Sequence, residues 1–186
     1  MVDPLRYYDL EDYLLGEVGA RFRSQGYISA FDFFSIVIWK ANRAKSHIAR
    51  RLIKVDPQGR TALEPIVHDL TSSLAKATDE RSRLRLLMEA WGFGLPMATA
   101  ILAILWPDDF TVYDVRVCEQ LGAFRELAHL TRFERVWEGY VRYRSAVVAA
   151  TPDQNTLRAK DRFLWARSAA LQLERDVECG FANGSA

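Results

Sequence analysis

Apolar residues recur along most of the chain at the three- and four-residue intervals that place side chains on one face of an α-helix. No stretch alternates between apolar and polar residues over the length of a strand, and no Asn-Gly or Asp-Gly pair separates two such stretches. The pattern therefore predicts an all-α fold. Helices are expected at residues 9–25, at 29–39 with a continuation or a restart into 43–54, and at 61–77, 78–91, 96–106, 114–121, 133–149 and 155–178.

Short polar side chains and glycines mark the expected ends of these helices. Glycine tolerates the left-handed backbone conformation that often ends a helix, and Gly26 is expected to end the first one. Ser, Thr, Asp and Asn accept hydrogen bonds from the free amides at a helix start. The expected caps are Ser29 or Asp32 for the second helix, Thr78 for the fourth, and Asp153 or Asn155 for the last.

Length and composition predict one folded domain. With 186 residues, 49% of them hydrophobic, the chain can bury a large core as one domain, with or without two lobes. Two cysteines, Cys118 and Cys179, are too few for a disulfide framework or a four-cysteine cluster. The longest apolar run, from Leu95 to Trp106, is too short to cross a bilayer. We expect a cytoplasmic monomer, without a signal peptide and with a flexible tail at residues 180–186.

Charge is distributed unevenly although the net charge is only +1. Residues 40–60 contain seven basic side chains and a single acid, Asp56. This stretch could contact a phosphate backbone, or it could be an ordinary solvated helix face. His47, His68 and His129 are scattered without the spacing of metal ligands, so no metal site is expected.

A Gly-x-Gly turn between two apolar helices is the first candidate for chemistry. Gly92 and Gly94 allow an unusual backbone conformation and close approach of another molecule, and Pro96 suits the first turn of the following helix. Amides at the start of that helix would form a binding site for a phosphate oxygen. The alternative is a tight helix–helix turn without a ligand.

The segment around this turn resembles the helix-hairpin-helix DNA glycosylase superfamily, which has the endonuclease III-like fold. The resemblance is carried by Gly92-Phe93-Gly94, by Ala98 and by Asp114-Val115-Arg116-Val117, which follow in the order and at the spacing of the family's hairpin and catalytic aspartate. It is strong over about residues 78–121. It is fainter over residues 31–53 and 157–165.

The resemblance implies a two-lobed helical domain over residues 1–186 with a cleft, double-stranded DNA as partner, and Asp114 as the catalytic carboxylate. It also implies a monovalent cation held by hairpin carbonyls. Aromatic side chains could stack on an extruded base, although each could equally pack in the core. Expected DNA contacts are Gly92, Phe93, Gly94, Leu95, Met97, Ala98, Lys40, Arg43 and Arg116, and the expected base pocket is Trp39, Phe34, Tyr27 and Tyr113.

Departures from the family pattern narrow the expected reaction. Pro96 stands where strand-cleaving members carry a Schiff-base lysine, so lyase chemistry through that residue is excluded. Arg116 and Ala90-Trp91 also differ from the usual residues. The expected activity is therefore that of a monofunctional glycosylase of open base preference. A non-catalytic DNA-binding protein and a helical protein-interaction module are the alternatives, because Asp114 could be a simple helix cap.

Overall fold

The computed structural model describes residues 4–181. Every regular element in that part of the chain is helical, with no β-strand, so the all-α prediction is confirmed. The chain divides into two compact units, Met1–Phe110 and Thr111–Ala186. Each unit is held together by its own helices.

The first unit contains seven α-helices among its described residues. Two π-helical turns, Tyr13–Val18 and Leu86–Ala90, and two 3-10 turns, Pro4–Tyr7 and Asn42–Ala44, extend or join them. The helices are α1 (Leu10–Asp12), α2 (Gly19–Gln25), α3 (Ala30–Ala41), α4 (Lys45–Val55), α5 (Leu63–Lys76), α6 (Glu80–Arg85) and α7 (Leu95–Leu105).

The ends of these helices agree with most of the expected boundaries. Gly26 ends α2 in the left-handed conformation, with a φ of +79°. Ser29 rather than Asp32 caps α3, because its side chain accepts the Asp32 amide. The predicted Thr78 cap is wrong: Asp79 accepts the Ser82 amide at 2.8 Å and caps α6. The basic stretch restarts as α4 after the 3-10 turn instead of continuing α3.

Helix α7 forms the centre of the first unit. It is apolar on all sides, and nine of its eleven residues are buried. Gly19, at the start of α2, shows how closely the neighbouring backbone approaches, because an added Cβ would lie 2.7 Å from the Ile104 carbonyl oxygen. This close packing fixes α2 against the C-terminal end of α7.

The second unit contains α8 (Val115–Leu121), α9 (Phe133–Ala150), α10 (Leu157–Glu178) and a 3-10 turn, Arg125–His129, that the sequence pattern did not predict. Helix α8 packs along α10. Thr156 caps α10 by accepting the Ala159 amide, so the expected caps Asp153 and Asn155 are wrong. The sequence does not distinguish among Asp153, Asn155 and Thr156, because all three are good capping residues within four positions.

No helix within residues 4–181 has the length and apolar character that a membrane span requires. Of the tail expected to be flexible, residues 182–186 lie outside the described residues. Gly180 and Phe181 form a turn after α10, in which the Phe181 amide donates to the Asp176 carbonyl at 2.7 Å.

Candidate functional site

The Gly92–Gly94 loop is anchored to the core of the first unit. The π-helical turn Leu86–Ala90 leads into it, and the Phe93 amide donates back to the Leu87 carbonyl at 2.9 Å. The Phe93 side chain is buried, with its ring centroid 6.1 Å from that of Phe33 in α3. Gly92 has a φ of +68°, a conformation that residues with a Cβ adopt only at a cost. The loop is therefore a fixed turn.

Gly94 has a different environment from Gly92. It is exposed at the N-cap position of α7, with an ordinary φ of −70°. An added Cβ would make only a van der Waals contact, 3.8 Å from the Pro96 Cδ. No neighbour among the described residues requires glycine here. The missing side chain leaves the start of α7 accessible to a group from outside.

Fewer backbone amides around the loop are free to bind a ligand than the sequence predicted. Phe93 donates to Leu87, and both Met97 and Ala98 donate to the Gly94 carbonyl at 3.1 and 3.0 Å. These three amides thus already have acceptors within the protein, and contact of these residues with DNA stays a prediction. Pro96 has no N–H. Gly92, Gly94 and Leu95 are the loop residues whose amides have no acceptor within residues 4–181, and of these Gly94 and Leu95 lie at the start of α7.

Helix α4 contacts the loop through one basic residue. The Arg51 guanidinium donates to the Gly92 carbonyl through Nη1, and its Nη2 lies 3.2 Å from His47 Nε2. His47, Arg50, Arg51 and Lys54 share one face of α4 by their three- and four-residue spacing. We call these four residues the basic face. Arg51 lies in the basic stretch at residues 40–60 but is not among the DNA contacts expected from the sequence.

The monovalent cation implied by the family does not fit the Gly92 carbonyl. That oxygen accepts the guanidinium of Arg51, which places a positive charge where a cation would need to bind. The Gly94 carbonyl is engaged by the Met97 and Ala98 amides. No group of three or more His, Cys, Asp or Glu side chains in the described part of the chain could hold a metal ion.

Arg60 does not belong to the basic surface that the sequence predicted. Its guanidinium pairs with Asp56 at 2.6 Å and with Asp69 at 2.8 Å. Hydrogen bonds from Arg60 lower the pKa of Asp56 to about 2. Lys40 is half-buried at the end of α3, and Arg43 is exposed in the 3-10 turn that follows. The cationic surface is thus centred on α4.

The four aromatic residues proposed for a base pocket do not share one environment. Trp39 is half-buried and donates to Glu11 at 3.3 Å, whereas Phe34 lies five residues earlier, about 140° away around the helix axis. Tyr27 is exposed, and its ring packs against His68. Tyr113 belongs to the second unit and is buried, with its hydroxyl donating to the Phe124 carbonyl at 2.7 Å.

Asp114 caps α8 in the second unit. Its Oδ1 accepts the Arg116 amide at 3.0 Å, and the side chain is half-buried. The Arg116 side chain extends to α10, where Nη1 donates to Gln172 at 2.8 Å and the guanidinium lies 5.6 Å from the centre of the Trp165 ring. Arg116 is therefore partly engaged within its own unit.

The backbone that leads into Asp114 is held by three buried side chains that the sequence analysis missed. Asp161 Oδ2 accepts the Val112 amide at 2.9 Å and the Thr111 hydroxyl at 3.1 Å. The Tyr140 hydroxyl bonds both the amide and the carbonyl of Thr111, and Tyr143 donates to the Val112 carbonyl at 2.9 Å. The position of the Asp114 backbone thus depends on contacts from α9 and α10.

Burial controls the ionisation of these side chains. It raises the pKa of Asp161 above its ordinary value, although the Arg158 guanidinium and the Val112 amide act in the opposite direction. Burial likewise raises the pKa of Tyr143 well above its ordinary value. Tyr143 therefore stays protonated and keeps its hydroxyl donor at neutral pH.

Comparison of the chain with protein-family models, with curated proteins and with solved structures gave no match in any of the three. The membership expected from the hairpin and aspartate motifs therefore stays a prediction. The loop before α7 and the cap of α8 are the two local geometries that bear on function.

Proposed function

We propose that the protein is a monofunctional DNA glycosylase that binds duplex DNA through the Gly92–Gly94 loop and the basic face of α4. Asp114 would supply the carboxylate for base release. The observation that carries the proposal is the environment of Gly94, an exposed glycine that its neighbours do not require. Such a residue at a helix start is expected where another backbone must approach closely.

A phosphate group is the ligand that this loop would bind. The amides of Gly94 and Leu95 lie at the N-terminus of α7, where the helix dipole favours negative charge. Arg51 adds a guanidinium beside the loop, and Arg50 and Lys54 extend the positive charge along α4. Backbone contacts of this kind position a protein on DNA without reading its sequence.

The proposed reaction is hydrolysis of the bond between C1′ and the base nitrogen. The target nucleotide would first leave the base stack, which costs least for a damaged or mispaired base. The Asp114 carboxylate would stabilise the positive charge that develops on the sugar as the base departs. Water then adds to C1′, and its proton leaves to solvent or to the base. Pro96 supplies no amine, so the product would be an intact strand with an abasic site.

Substitution Asp114→Asn separates the chemistry from the structural role of this residue. Asparagine also caps helices, so α8 should be retained. On a panel of duplexes with alkylated, oxidised or deaminated bases, the variant should release base at least about a hundredfold more slowly than the wild type. Its affinity for duplex DNA should change less than about twofold. Base release at the wild-type rate would reject the catalytic role of Asp114.

A non-catalytic DNA-binding protein is the second candidate. The helix cap at Asp114 favours this candidate. The hydrogen bond from the Arg116 amide to the Asp114 carboxylate is sufficient to account for an aspartate at this position. This candidate predicts that the wild type binds duplex DNA in a salt-dependent manner but leaves no abasic sites on any member of the panel. The same panel therefore decides between the two.

A further inference from the structure

One side of α10 carries apolar residues that are exposed. They follow a strict three–four spacing of the kind found along the seam of a coiled coil. Phe163 is 46% exposed, Leu173 is 58% exposed and Val177 is 60% exposed. We call this set the α10 stripe: Phe163, Ala166, Ala170, Leu173 and Val177.

Helix α10 packs within its own unit through a different side. Leu164 and Ser168 are buried there, and the Ser168 hydroxyl donates to Glu119 of α8 at 3.2 Å. At 100° per residue, the α10 stripe lies on roughly the opposite side of the helix from these two residues. The stripe is thus an apolar surface facing away from α8.

Charged residues flank the stripe in a self-complementary order. Arg167 and Glu174 lie seven residues apart, so they occupy equivalent positions along the same edge of the stripe. They are about 10 Å apart along the helix and do not pair with each other. On this edge the basic Arg167 lies nearer the start of the stripe and the acidic Glu174 nearer its end, whereas the exposed Arg175 lies on another side of the helix. Two copies running in opposite directions would therefore place unlike charges together.

We propose that the protein forms a twofold symmetric dimer in which the α10 stripes of two copies pack antiparallel. The occupant of this surface is a second copy of the same chain. In the proposed register, Ala170 faces Leu173 of the second copy and Ala166 faces Val177 of the second copy. Leu173 and Val177 then each pack on an alanine of the second copy, which lets the two helices approach closely.

The same register brings the flanking charges together. Arg167 of one copy lies beside Glu174 of the other, and the symmetry repeats this pair. A parallel arrangement would instead set Arg162 near Arg167 of the second copy, which is repulsive. The charges therefore favour the antiparallel orientation. This inference differs from the monomer expected from the sequence and does not depend on the proposed DNA chemistry.

Light scattering after size exclusion tests the dimer with charge-reversal variants. At about 100 µM the full-length wild type should have twice the 21.3 kDa monomer mass, because oligomerisation depends on concentration. Arg167→Glu and Glu174→Arg should each give monomers, since each creates like-charge pairs. The double variant should restore the dimer. Arg142→Glu, an exposed change on α9, is the matched control and should stay dimeric.

Cysteine cross-linking tests the register. In a Cys179→Ser background, Ala166→Cys and Val177→Cys chains should form a disulfide when the two are mixed under mild oxidant, and neither should do so alone. A cross-link within a single variant would indicate a parallel pairing and overturn the proposal. A monomeric wild type at about 100 µM, or a dimer insensitive to both charge reversals, would overturn it as well. Circular dichroism checks that each variant remains helical.

Discussion

The Arg51 guanidinium donates a hydrogen bond to the Gly92 carbonyl across a separation of 41 residues in the sequence. This contact joins the basic helix α4 to the glycine loop. It places a positive charge next to the start of α7, where the helix dipole also attracts anions. The loop and the basic stretch, which the sequence presents as separate features, thus form one surface.

Replacing Arg51 should weaken binding of duplex DNA. Arg51→Ala removes one cation from the proposed phosphate contact, so affinity should fall about tenfold and the salt slope should decrease by about 1. Fluorescence anisotropy at several salt concentrations measures both quantities. Lys76→Ala, an equal loss of charge at the end of α5, is the control and should leave both unchanged. Equal effects from the two variants would contradict a specific contact at Arg51.

The two glycines of the loop should respond differently to alanine. Gly92→Ala forces a Cβ into a left-handed conformation and should reduce the free energy of unfolding by about 1–2 kcal/mol. Gly94→Ala should cost less than about 1 kcal/mol, because the backbone there is ordinary and an alanine fits.

The two substitutions should affect DNA binding in the opposite order, with the larger effect at Gly94. Gly94→Ala should lower affinity for duplex DNA about tenfold, because the added methyl group blocks the approach of the DNA backbone. This loss of affinity corresponds to about one charge-assisted hydrogen bond. Chemical denaturation and anisotropy measure the two effects on the same samples. If the Gly94→Ala protein binds DNA as tightly as the wild type, the main support for a phosphate-binding site at the start of α7 is removed.

Removing the Asp161 carboxylate should destabilise the second unit. Asp161→Ala leaves the Val112 amide, the Thr111 hydroxyl and the Arg158 guanidinium without their buried acceptor. A cost of about 3–5 kcal/mol is expected for breaking a buried pair in this way. Urea denaturation measures it. Asp153→Ala, an exposed change just before α10, should alter stability by no more than about 0.5 kcal/mol.

The Asp56–Arg60 pair predicts a stability change in acid. The pKa of Asp56 is lowered from 3.8 to about 2 in the folded protein, so its contribution is present above about pH 4 and is lost as pH falls toward 2. The stability difference between wild type and Asp56→Asn should therefore be constant above pH 5 and shrink between pH 4 and 2. Denaturation at each pH tests this, and a difference that grows with acidity would contradict it.

The sequence predicted the helices better than their ends. Hydrophobic spacing identified α7 and α8 nearly residue by residue, because each is short and is bounded by proline, glycine or aspartate. The cap of α6 was misassigned by one position. Thr78 and Asp79 are both good capping residues, and only the backbone conformation selects between them.

Contacts between residues far apart in the chain could not be predicted from the sequence. Asp161 lies at helical spacing between apolar residues, which marks a buried position but does not identify its partner 49 residues away. The Arg51 contact was hidden for the same reason. Asp114 was identified from the motif Asp114-Val115-Arg116-Val117 and its distance from the glycine loop, and its chemical role stays a prediction.

The π-helical turn Leu86–Ala90 fixes the direction in which the Gly92–Gly94 loop leaves its helix. Such a turn amounts to one additional residue within a regular helix. Deleting a residue there would restore α-helical winding and rotate everything that follows by about 100°. The direction of the loop is therefore determined by the residues that precede it, which need not contact a ligand themselves.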